Sequence, residues 1–84
     1  MINVEVTKEV WKKAKNLKIE KKLKKQIGFL KLGSNPPYPS LRLQPYVELK
    51  NREVWKFEID LNWWGLTIKT AKDTIKIYNI IHHP

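Results

Sequence analysis

The stretch VWKFEIDLNWWGLTIK, residues 54–69, decides the fold. Trp55, Phe57, Ile59 and Leu61 alternate with Lys56, Glu58, Asp60 and Asn62, which gives one apolar and one charged face at the two-residue period of a strand. A turn near Asn62 to Gly65 then leads into Leu66 and Ile68, so a second strand is predicted over residues 65–69. After another turn at Ala71 to Asp73, the run TIKIYNII, residues 74–81, alternates again. Strict alternation puts Ile75, Ile77 and Ile81 on one side and Lys76, Tyr78, Ile80 and His82 on the other. Consecutive strands with short connections form an antiparallel meander. Its polar side is then expected to carry Lys56, Glu58, Asp60, Lys76, Tyr78 and His82.

Upstream the period changes. Ile2, Val4 and Val6 read as a short first strand, and Thr7 is placed to cap a following helix. Val10, Ala14 and Leu17 lie on one helical stripe, with Trp11 at its margin, whereas Ile19, Leu23, Ile27 and Leu30 lie on a second. At 3.6 residues per turn the two stripes point in roughly opposite directions, so one straight helix cannot bury both against the same sheet. A break near Asn16 to Lys18 resolves the conflict, giving a helix over about residues 8–16 and another over about 19–32, ended by Gly33. The proline-rich GSNPPYPS, residues 33–40, is a rigid connector, and LRLQPYVEL, residues 41–49, is an edge strand or extended entry interrupted by Pro45. The predicted class is therefore α+β. A helical hairpin near the N-terminal end packs on one face of a small, mainly antiparallel β-sheet, and residues 1–84 form one domain without repeats.

Eighty-four residues lie near the lower size limit for an unstapled core. With no cysteine in the chain, disulfides and thiolate-metal sites are excluded, and a reducing, cytoplasmic setting is the expectation. The opening MINVEVTKEV lacks the features of a signal peptide, and no run is long and apolar enough to span a membrane. The net charge of +9 is unevenly distributed. Residues 1–32 hold ten lysines against three acids, and the remainder holds seven bases against five acids. A field of that sign suits a polyanionic partner, meaning nucleic acid, a ribosome, an anionic membrane or an acidic protein, although a lysine-coated helix is equally well explained as a solvated face. With Arg42 and Arg52 the only arginines, most of the charge resides on hydrated ammonium groups.

Three motifs carry a family resemblance. Asn35, Pro36, Pro39, Ser40, Leu41, Arg42 and Leu43 match a loop of the form NP-x-HPSLR-x-KKL, with Tyr38 where histidine is common. Val54, Trp55, Phe57, Ile59, Asp60 and Asn62 match VW-x-FRID-x-NYR, and Asp73, Thr74, Ile75, Ile77, Ile80, His82 and His83 match a closing DTI-x-I-x-x-I-x-HH. Over nearly its whole length the chain resembles the RelE/ParE superfamily, the small basic toxins of type II toxin-antitoxin pairs. Glu58 and Trp64 stand where that family usually has arginine.

The resemblance implies a toxin silenced by a cognate antitoxin protein and acting as a ribosome-dependent mRNA interferase, which would inhibit translation. Such an endoribonuclease uses neither metal nor cofactor, and its partners are mRNA and the ribosome rather than a small molecule or a membrane. The chemistry, attack of an RNA 2′-hydroxyl on its own phosphate, needs a proton acceptor, a proton donor and fixed positive charge. His82 or His83 would move protons, with His82 favoured by alternation and Glu58 as a second carboxylate. Arg42, Arg52, Lys56 and Lys76 are the candidate phosphate partners, and Tyr78 a base or phosphate contact. One of Trp63 and Trp64 is expected in the core or an interface, the other as an aromatic platform. Adjacent histidines in a strand face opposite ways, so the pair alone is a poor metal chelate. The plainer readings are a surface charge ladder for Glu58 and a frayed strand end for the histidines. Two alternatives stay open: a catalytically silent RelE/ParE-like binding protein, and a basic RNA- or ribosome-binding protein.

Overall fold

Opposed apolar stripes and a run of alternating strands are satisfied together by two helices laid on one face of a five-stranded sheet. In the computed structural model, residues 2–34, 37–46 and 53–83 are described. The elements are β1 (Asn3–Val6), α1 (Lys8–Asn16), α2 (Glu20–Leu32), a single 3-10 turn (Pro39–Leu41), β2 (Gln44–Tyr46), β3 (Val54–Glu58), β4 (Trp63–Ala71) and β5 (Thr74–His82). The sheet order is β1-β5-β4-β3-β2. β2 through β5 form antiparallel pairs, whereas β1 runs parallel to β5, so the sheet is mixed and a strand precedes the helical hairpin. Pro45 sits in the edge strand β2, where a missing backbone donor costs least.

The hairpin turns where the stripes demand it. Thr7 accepts a hydrogen bond from the Val10 amide at 3.2 Å and so caps α1. At the other end the Ile19 amide donates to the Ala14 carbonyl (2.9 Å) and the Lys18 amide to Lys15 (3.1 Å), a Schellman arrangement with Lys18 at φ 61°. This reversal rotates the second stripe inward, so Val10, Ala14, Ile19, Leu23, Ile27 and Leu30 all reach one core with Leu41, Phe57, Ile59, Ile77 and Ile80. Lysine in the left-handed region carries a Cβ penalty that glycine lacks. Lys18→Gly is therefore expected to raise the unfolding free energy by about 1 kcal/mol, read from the midpoint of urea denaturation. Gly33, at φ 58°, ends α2 in the same way.

Two expectations need correction. The first long strand stops at Glu58, because the Asp60 carboxylate accepts from the Asn62 and Trp63 amides at 2.8 and 3.0 Å and folds residues 60–62 into a tight turn. Asp60 therefore belongs to the turn rather than to the polar sheet face, and Leu61 projects at its tip, 84% exposed.

The second correction concerns β5. Leu66 pairs with Asn79 but Thr67 pairs with Ile77, so Tyr78 is an extra residue, a β-bulge. The bulge reverses the alternation after it. Ile80 joins Ile77 in the core instead of Ile81, and His82 lies on the helix side while His83 lies on the opposite face.

Candidate functional site

The face turned away from the helices follows from the register. Glu58 lies opposite Trp64 and Lys56 opposite Leu66, and on the other side of β4 Trp64 lies opposite Ile81 and Ile68 opposite Lys76. This face has an apolar floor: Val54, Trp64 and Leu66 are buried although none belongs to the core beneath the helices. Around that floor the sequence-predicted residues divide into two groups.

Glu58, Lys56, Arg42 and His83 gather near Trp64. The Lys56 ammonium lies 4.9 Å from the Trp64 ring centroid and 5.7 Å from that of Tyr46, both within cation–π reach. The His83 ring stacks on Trp64 at 5.2 Å with 24° between planes. Its backbone amide donates to the Asn62 carbonyl at 2.7 Å, so the turn built by Asp60 also anchors the end of β5. Arg42, left-handed at φ 45° after the 3-10 turn, places its Nε 3.3 Å from a Glu58 carboxylate oxygen. Arg42 is largely exposed and Glu58 largely shielded, so the carboxylate is the fixed member of the pair.

Lys76 shares the face but not the cluster. Lys76 precedes His83, the residue after β5, by seven positions, roughly 20 Å along an extended strand at about 3.3 Å per residue. Tyr78 occupies the bulge between them. His82, the histidine favoured by alternation, meets Trp63 edge-on at 5.0 Å on the helix side. Arg52 lies outside the described residues. Among the described residues no three His, Cys, Asp or Glu side chains gather so as to hold a metal ion, and no helix is long and apolar enough to cross a membrane.

Sequence reasoning missed two contributors. Tyr46 reaches Lys56 from the edge strand, and only the β2-β3 register reveals it. Gln26, 6% exposed, donates from Nε2 to the carbonyls of Glu58 (2.6 Å) and Ser40 (2.9 Å), and so ties α2 to the end of β3 and to the loop bearing Arg42. Its signal was present, since a glutamine interrupts the otherwise apolar stripe of Leu23, Ile27 and Leu30.

The lysine field is also subdivided. Lys13 Nζ donates to the Ile80 carbonyl at 2.6 Å, Lys22 pairs with Asp60 at 3.5 Å, and Lys24 lies 3.7 Å from Glu20 and 6.0 Å from the Trp11 ring centroid. Lys25 is exposed and borders a shallow cleft with Glu58 and Leu61, whereas Lys12 is exposed on α1. If RNA tracks from the Trp64 cluster past this edge, Lys25→Gln reduces the slope of log K against log salt by about 0.7, the value for one single-strand phosphate contact. Lys12→Gln leaves the slope unchanged in the same titration.

The chain matches no protein-family model, curated protein or solved structure with which it was compared.

Proposed function

We propose that this chain is a RelE/ParE-like toxin of a type II toxin-antitoxin pair, acting as an mRNA interferase on the ribosome. The observation that supports this best is the convergence of His83, Glu58, Lys56 and Arg42 around Trp64 on the sheet face opposite the helices. Two proton carriers and two cations there meet the demands of phosphodiester transesterification. The RNA 2′-oxygen bonds to the adjacent phosphorus while the bond from phosphorus to the 5′-oxygen breaks. One proton leaves the 2′-hydroxyl for Glu58 or His83, and one is delivered to the departing 5′-oxygen by the other. Lys56 and Arg42 offset the charge that accumulates on the phosphoryl oxygens. An acidic or amphipathic antitoxin laid over this face would block all four groups at once.

A specific observation favours the second reading, a catalytically silent binding module. Arg42 is already engaged with Glu58, and Lys56 with two aromatic rings, so neither cation is idle in this conformation. The deciding experiment is to add purified, antitoxin-free protein to translating ribosomes and map mRNA ends by primer extension. New ends within the reading frame support the interferase. Growth arrest without new ends supports a toxin with another target. Salt-sensitive RNA binding with neither effect supports a basic RNA-binding protein.

A further inference from the structure

We propose that Trp64 is a positioning residue whose indole sets the place of the His83 imidazole relative to the Lys56 ammonium. This deepens the reading of the same site and rests on it for its catalytic consequence.

A side chain at the end of a strand ordinarily samples several rotamers. His83 is restrained at two points, its amide on Asn62 and its ring on Trp64. The support is itself held in place: Trp64 is 2% exposed and lies in the central strand of the sheet, between Glu58 on β3 and Ile81 on β5. The same ring receives Lys56 at 4.9 Å. One buried plate therefore fixes the separation between a proton carrier and a phosphate-neutralising cation, the geometric requirement that intramolecular positioning supplies to a reaction.

The indole N–H adds an independent point. Trp64 Nε1 is buried and, among the described residues, makes no hydrogen bond. Leucine or phenylalanine at this position would fill the apolar floor without burying an unsatisfied donor. Neither has the breadth of an indole, which here meets a cation and a second ring at once. His82 supplies an internal contrast. It meets Trp63 edge-on at 89° on the helix side.

The test begins with the unmodified full chain. Stacking on Trp64 moves the His83 ring-proton resonances upfield of ordinary histidine values in aromatic ¹H–¹³C spectra, and Trp64→Leu returns them to ordinary values while those of His82 stay in place. In the ribosome assay Trp64→Leu lowers kcat roughly 10²-fold, the scale of an ångström-level misplacement, with KM little changed. Trp64→Phe, which keeps an aromatic plate but not the breadth to meet both groups, gives a His83 shift and a kcat between those of Trp64→Leu and the unmodified protein. Ordinary His83 resonances in the unmodified protein overturn the proposal, as does a Trp64→Leu protein that moves His83 yet keeps its kcat. Should Trp64→Leu not fold, the unmodified spectrum and Trp64→Phe still decide it. Failure to cut RNA with His83 stacked as expected refutes the interferase reading and the catalytic consequence, and leaves the positioning itself established.

Discussion

On the proposed interferase reading, His83→Ala is expected to lower cleavage of ribosome-bound mRNA by roughly 10²- to 10⁴-fold, the usual scale for losing a general acid or base, with antitoxin binding and thermal stability retained. The asymmetry within the histidine pair is the informative part. His83 shares the face of Glu58, Lys56 and Trp64, whereas His82 sits edge-on to Trp63 on the helix side. His82→Ala should therefore change cleavage by less than about tenfold, well below the loss of an acid or base. Glu58→Gln separates two roles for the carboxylate: a proton carrier loses activity on the His83 scale, while a partner that merely holds Arg42 does not. Equal, large losses at both histidines would refute the face assignment, and no loss at His83 would remove the catalytic reading of the cluster.

Phe57→Ala is expected to cost about 3–5 kcal/mol, a large share of the stability of so short a chain at ~0.05–0.15 kcal/mol per residue. Phe57 is fully buried and lies across from Gly65, and a Cβ built on that glycine would collide with Cε1 and Cζ of the phenyl ring. The ring occupies the space that the missing side chain leaves, so the two residues form one packing unit. Gly65→Ala alone should cost about 1–3 kcal/mol through overpacking. In the double variant the new methyl enters space the ring has vacated, so the combined cost falls short of the sum by about 0.5–3 kcal/mol. Urea denaturation of the four proteins measures the coupling, and simple additivity would show that the backbone shifts to separate them.

The helical hairpin was legible because two apolar stripes on opposite sides of one helix axis are incompatible with a single buried face. The turn between Asn16 and Ile19 follows from that conflict alone, and Thr7 and Gly33 mark its outer limits. β3 through β5 were legible as elements from period-2 patterning, and Pro45 marked β2 as peripheral. The parallel docking of β1 beside β5 was not, because pairing partners far apart in sequence leave no local pattern. Nor was the pairing of Arg42 with Glu58, which depends on a left-handed arginine and on Gln26 pinning the intervening backbone. The burial of Trp64 was half anticipated. One of the two adjacent tryptophans was expected inside, but it is the one on the polar-patterned face that is most buried, and the other packs partly buried against the helix-side core. Candidate residues were thus found by type, while their grouping required the fold.

The extra residue at Tyr78 makes the presentation of an imidazole a matter of parity. Counting from Ile77, an odd insertion has exchanged the two sides of everything that follows, so His83 takes the place that uninterrupted alternation assigns to His82. Because two histidines stand in succession, either count delivers one of them to the outer surface. A strand of the same length with Tyr78 paired rather than bulged would offer His82 there and turn His83 toward the helices. The doubled histidine therefore buffers this surface against a one-residue slip of register in β5, a tolerance that neither Glu58 nor Lys56, each without an identical neighbour, possesses.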